Sequence, residues 1–286
     1  MAASTPTREK ILSLAKDLPP AAAVLGKLQR LLTDPNATLD DICGLLKRDI
    51  ALSSRILRIS NSTYFSPATP NASLEEAVGY MGYAEVYKVV GITIASQCWC
   101  KDLRFYGYTP DQLWQNAISS ALAMESLAQF VGLNPRSTYT AGLMRSMGKI
   151  ILDRCASESV APPEPFAQEN GKPLGAWEVA AFGSDNPTVA ALVLREWNFA
   201  TETCEAVLHQ YHPEASPDGE LTPWLVNLAG WITLELGCGL AGEDSYWALR
   251  PETLARTELA AADLELCTAE TKMAVDAVRR AFADFS

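Results

Sequence analysis

Between Thr38 and Phe65 the chain reads TLDDICGLLKRDIALSSRILRISNSTYF, a stretch with little freedom in how it folds. Thr38 with Asp41 three residues on has the form of a capping box, and Leu39, Ile42, Leu45 and Leu46 recur at helical spacing behind it. Asp49 stands where a side-chain oxygen caps a second helix carrying Leu52, Ile56, Leu57 and Ile59. That helix runs out at Asn61-Ser62, whose side chains bond locally to backbone groups. Tyr64-Phe65 is then expected in a fixed turn held against a core.

The same period continues along the chain. Two helices are expected over 8–32, parted by Pro19-Pro20. Ser73 with Glu76 supplies a second capping box for a helix ending near Gly82, and a nearly continuous apolar helix follows over 84–100. Residues 101–108 are polar and aromatic and form the expected hinge. Thr109-Pro110-Asp111 opens a long helix that Gly132 stops, and one further helix is expected over 137–153. Past an irregular loop over 155–172, helical patterns recur at 174–182, 187–197, 202–211, 224–236, 254–266 and 269–285. No alternating run is long enough for a strand, so the fold class is all-α.

With 286 residues, 48% of them hydrophobic and 20% charged, the chain buries a sizeable core without needing disulfides or metal. Its net charge of −11 argues against a phosphate-binding surface, so nucleic acid is not an expected partner. No apolar run approaches the roughly 18 residues of a membrane span, and MAASTPTREK has no apolar leader core; the expectation is a cytoplasmic protein with no membrane contact. Seven cysteines without a Cys-x-x-Cys pair read as reduced packing residues, Cys98 and Cys100 included.

Catalytic motifs are missing as well: there is no Gly-x-Ser-x-Gly, Walker loop or Gly-x-Gly-x-x-Gly. Asp40-Asp41 and Glu75-Glu76 fall in first helical turns, where the helix dipole accounts for them. His209 and His212 are the only histidines, and with Glu205 one turn earlier they offer N, N and O on one helical face. A pair in the last turn before a proline also suits backbone carbonyls and the negative dipole end, and that reading, with no metal and no cofactor, is the expected one. The tryptophans, Trp177 and Trp247 among them, read as core or contact residues rather than as base-stacking platforms.

The ordered series Asp49-Ile50-Ala51-Leu52, Asn61-Ser62-Thr63-Tyr64 and Ala77…Met81-Gly82, with Leu18-Pro19-Pro20 ahead of it, resembles the HDOD family, the HD-related output domains of bacteria. Asp49, Asn61, Ser62 and Tyr64 carry this signature; Ile50 stands where the family has proline. The resemblance covers roughly 18–213. It implies an N-terminal helical lobe (1–104) packed with an HD-like helical lobe (105–215), followed by a helical extension (216–286).

Ala141-Gly142-Leu143-Met144-Arg145-Ser146-Met147-Gly148-Lys149 resembles the metal motif of the HD phosphohydrolases, Gly-Leu-Leu-His-Asp-Ile-Gly-Lys, with Arg145 and Ser146 on the His and Asp positions. An arginine is permanently protonated and cannot coordinate a metal. Asn116 and Asn186 stand where related enzymes place histidines, and Gln210 and Tyr211 stand on a later histidine pair. The resemblance thus implies a catalytically degenerate, non-enzymatic protein of bacterial signal transduction that acts through contact with a protein partner in a two-component or cyclic-nucleotide pathway. Two alternatives stay open: a metal-dependent phosphohydrolase with a rebuilt site, and a small-ligand sensor using the vacated HD cavity. Glu178, Asp185, His209 and His212 are the candidate cavity or partner residues. Arg145 is expected to replace the missing cation and to pair with Glu178 or Asp185.

Overall fold

The computed structural model describes residues 6–283 except 20, 63, 161, 168–171 and 218. Expectations for Pro20, Thr63, the N-terminal five residues and the last turn to Phe285 lie outside the described residues. All regular structure among the described residues is helical, apart from one isolated antiparallel bridge between Leu103 and Tyr108.

The chain divides into two compact units, 1–18 with 99–271, and 19–98 with 272–286. The smaller unit holds α2 (Ala21–Thr33), α3 (Leu39–Leu46), α4 (Ile50–Ser60), α5 (Leu74–Met81) and α6 (Tyr83–Cys98). Its local grammar follows the sequence closely. Thr38 and Asp41 close a full capping box on α3, and Asp49 Oδ1 accepts from Leu52 N at 2.9 Å to start α4. Leu46, Leu52, Ile56 and Ile59 are fully buried, whereas Ile50, where the resemblance would place a proline, is 80% exposed.

Two expectations here are corrected. Ser73 caps α5, but Glu76 reaches past the cap to Ala72 N, so the reciprocal bond of a capping box is not made. Tyr64 is half exposed rather than pressed on a core. The loop is fixed instead by Asn61, whose amide donates to Asn71 O at 3.0 Å and accepts from Asn71 N at 2.7 Å, closing both ends of the segment after α4. Ser62 Oγ donates back to Ile59 O. Asn61→Ala is expected to cost about 1 kcal/mol in urea unfolding, the usual value of exposed hydrogen bonds, with m unchanged.

The larger unit holds α1 (Arg8–Lys16), α7 (Pro110–Phe130), α8 (Pro135–Met144), α9 (Met147–Ser157), α10 (Leu174–Phe182), α11 (Asn186–Glu196), α12 (Thr201–Leu208), α13 (Thr222–Glu235) and α14 (Pro251–Thr257). α15 (Ala261–Ala283) starts in this unit and ends in the other. By contacts, the larger unit takes in both the first helix and the helices beyond 215. α1 packs on α9 and α11, and α13 packs on α7 and α12, so both belong to the core of the larger unit. The expected hinge over 101–108 is instead a bonded turn with Tyr106 and Tyr108 buried. The last two helical patterns shift as well, to α14 and α15.

The single helix expected over 137–153 is broken at Arg145-Ser146 into α8 and α9. The cause is Asn186. Its Nδ2 donates to Arg145 O at 3.0 Å and its Oδ1 accepts from Lys149 N at 3.2 Å, so the side-chain amide stands between the two groups a continuous helix would join. Glycines let the neighbouring helices come close enough. A Cβ at Gly142 would meet Ser120 O of α7 at 2.4 Å, and one at Gly148 would meet Asn186 O at 2.3 Å.

Candidate functional site: a buried ion cluster

The break between α8 and α9 turns Arg145 inward, where it is 1% exposed. Its Nε donates to Ser120 Oγ at 2.9 Å, Nη2 to Asn116 Oδ1 at 2.6 Å, and Nη1 to Glu243 Oε2 at 3.0 Å. The guanidinium carbon lies 4.9 Å from the centre of the Trp247 ring, a buried cation–π contact. One turn on, Lys149, fully buried, donates to Glu243 Oε1 at 2.6 Å and to Tyr211 OH at 3.0 Å.

Glu243 is the anchor. Besides both cations, it accepts from Tyr211 OH at 2.7 Å and Trp247 Nε1 at 3.2 Å, so each of its oxygens is bonded more than once. Burial alone would push this carboxyl up; Arg145 and Lys149 overrule it and hold it at about 2. Asn116 keeps its place by donating to Cys238 O at 2.8 Å, and Ser120 Oγ lies 3.3 Å from Thr233 Oγ1.

A second acid lies behind the first layer. Glu178 accepts from Asn186 N at 2.8 Å and Tyr106 OH at 2.9 Å. Burial raises it to about 7 against the pull of Lys149. Gln210 donates to Arg145 O and Val207 O, while its Oε1 and the Ser146 Oγ are buried with no hydrogen-bond partner among the described residues. Tyr211 stacks on Tyr246 at 4.1 Å, which seals this end of the cluster.

The structure thus gathers Asn116, Arg145, Asn186, Gln210, Tyr211 and Glu178 into one buried network, with Ser146 beside it. It corrects the partner expected for Arg145: the acid is Glu243, from the turn after α13. Asp185 instead caps α11 by accepting from Thr188 N. His209 and His212 do not share a face toward the cluster; His209 sits 3.5 Å from Glu205, which also binds Arg195, and His212 lies 3.3 Å from Glu214. Glu243, Ser120 and Tyr106 were missed in the sequence, and Trp247, read there as a core or contact residue, is buried against Arg145. A buried Arg and a buried Lys four residues apart do demand a carboxylate, and Gly242, at φ +87°, marks the tight turn that presents it.

A divalent metal, as the related HD enzymes hold, does not fit these residues. The space is filled by a guanidinium and an ammonium bonded to Glu243, Asn116, Ser120 and Tyr211; Glu178 is taken up by Asn186 N and Tyr106, and the remaining groups are amides and hydroxyls, weak ligands beside two cationic side chains. An open groove of about 530 Å³ in the smaller unit, lined by Lys27, Asp34, Asp40 and Arg48 among others, uses none of the cluster's residues.

Two acids displaced in opposite directions give a signed pH dependence. Glu178, raised from 4.5, favours the fold below pH 4.5 and loses that contribution as pH climbs toward 7. Glu243, lowered from 4.5, contributes fully above pH 4.5 and loses it as pH falls toward 2. Urea stability is therefore expected to peak near pH 5 and to decline by about 2–4 kcal/mol toward pH 8, because a tenfold change in proton affinity between the folded and unfolded chain is worth roughly 1.4 kcal/mol. Glu178→Gln is expected to flatten the alkaline limb only.

Taken together, this is an all-helical two-unit protein whose larger unit centres on a buried arginine–lysine–glutamate cluster. The HDOD domain matches residues 18–213, and the chain belongs to that family. Among solved structures, the "Putative signal transduction protein" from Marinobacter aquaeolei VT8 superposes with a TM-score of 0.69 at 19% identity, over 96% of this chain and 64% of that one. The "Putative phosphohydrolase" from Shewanella amazonensis SB2B gives 0.67 at 19%, over 95% of this chain and 97% of the other. An uncharacterized protein of Treponema pallidum (strain Nichols) is 21% identical over 215 residues, 74% of this chain; the match spans 41% of that relative's length. No helix among the described residues is long and apolar enough to cross a membrane.

Proposed function

We propose that this HDOD protein is a regulatory component of a bacterial signalling pathway that works by contact with a protein partner and has no phosphohydrolase activity. The observation that carries the reading is the Arg145–Glu243–Lys149 cluster, two buried cations on one shared acid, with Arg145 on the position that the motif resemblance assigns to a metal ligand. Arg145 substitutes a fixed charge for the missing ion: it ties α7 to the α8–α9 break and to the turn after α13. Asn116, Ser146, Asn186, Gln210 and Tyr211 are then structural descendants of a ligand shell, and the cluster makes the larger unit a rigid body suited to docking. Relatedness to a protein named for signal transduction supports the pathway class; the vacated position, filled by charged side chains, argues against both the sensor and the hydrolase alternatives.

The test is elemental analysis of the purified chain with phosphomonoesterase and phosphodiesterase assays in added manganese, iron or nickel. The expected result is substoichiometric metal and no turnover above the buffer rate. About one metal per chain with turnover that rises with loading contradicts the proposal.

A further inference from the structure

Between α9 and α10 the sequence is Pro162-Pro163-Glu164-Pro165-Phe166, and three prolines in four residues bias such a segment toward the polyproline conformation with few competing states. Phe166 N donates to Phe105 O at 2.7 Å, and Glu164 O accepts from Trp177 Nε1 at 3.2 Å. The Phe166 ring lies 5.4 Å from that of Trp177, which stands edge-on to Tyr106 and Phe182, each 5.1 Å away. On its other side Phe166 uses the space left by Gly242, where a Cβ would come within 2.5 Å of the ring. Pro162, Glu164 and Pro165 remain exposed.

An indole N–H set among aromatic rings and bonded to a carbonyl of a proline-rich stretch is the chemistry by which aromatic grooves take polyproline ligands. Proline offers an acceptor, no donor, and a ring that packs on an aromatic face. We infer that Trp177, backed by Tyr106 and Phe182, forms a receptor for a proline-rich, aromatic-ended segment of a protein partner, and that the Pro162–Phe166 strap fills this receptor in cis. A tethered occupant competes with a free one, so the partner's apparent affinity is reduced by the fraction of time the strap is seated.

Displacement would reach the ion cluster by two contacts. Phe166 packs on Gly242, the residue before Glu243, and Tyr106 of the receptor bonds Glu178. A receptor of this kind gives the protein-contact reading a partner class and rests on that reading only for the source of the segment. Peptide binding is read independently of metal content, so either can fail alone.

The experiment titrates the full chain, labelled with ¹⁵N-tryptophan, with the synthetic peptide PPEPF and with its control AAEAF. Phe166→Ala opens the receptor and is expected to bind PPEPF at least about tenfold more tightly than the wild type does, shifting the indole resonance assigned to Trp177. Adding Trp177→Phe, which keeps a ring but removes the N–H donor and its resonance, is expected to lose that gain when the same titration is followed by calorimetry, with the melting curve unchanged. Phe166→Leu serves as the opener if the alanine variant does not fold. A folded opener that binds PPEPF no better than the wild type, binding of AAEAF equal to PPEPF, or insensitivity to Trp177→Phe overturns the inference.

Discussion

Glu243→Gln is expected to destabilise the protein by about 3–5 kcal/mol, a fall in Tm on the order of 10 °C for a chain of this length. Glutamine keeps the volume but leaves Arg145 and Lys149, 1% and 0% exposed, without a counter-charge. It also turns an NH₂ toward donors that need an acceptor, so one hydrogen-bond direction is lost with the charge. Replacing all three ions at once, Arg145→Met, Lys149→Met and Glu243→Leu, is expected to recover most of the loss, because neutral groups of similar size avoid the desolvation that the ions suffer. Thermal melts and urea titrations of both variants decide the matter. A Glu243→Gln loss below about 1 kcal/mol would show that the cluster does not anchor the larger unit.

Arg145→His with Ser146→Asp restores the adjacent His-Asp pair of the related enzymes and is the second large effect. It removes bonds to Ser120, Asn116 and Glu243, while leaving Lys149 within the site. The expected outcome is a loss of about 3–5 kcal/mol and no manganese binding by titration calorimetry, since Asn116 and Asn186 supply amides rather than imidazoles. Stability that returns on adding manganese, with one-to-one heat, would show that the helices still enclose a metal site.

Helix positions were legible where the information is local. Caps at Thr38, Asp49 and Thr109 and the apolar period of α3, α4 and α7 are written in adjacent residues, and they appear as read. The two-fold split of 137–153 was not legible, because Asn186, 37 residues beyond Lys149, performs it through its side chain. The partner of Arg145 was misplaced for the same reason. Glu178 and Asp185 looked near by motif, but proximity in a helical fold is set by which helices cross, and α13 brings in Glu243, 98 residues away from Arg145. Asp185 was spent on capping its own helix, a local use that a cap-before-proline pattern announces. The compact units do not follow chain order, because α1 and α13 pack among the helices of the larger unit, a pairing that spacing along the chain does not encode.

Whether side-chain cations occupy the position of a catalytic metal is tested most directly by anomalous diffraction at the manganese edge, from crystals of the wild-type chain grown with manganese. The prediction is guanidinium and ammonium density bonded to Glu243, with no anomalous peak beside Asn116, Arg145, Asn186 or Tyr211. A peak there, with Arg145 swung away from Glu243 to admit the ion, would contradict it.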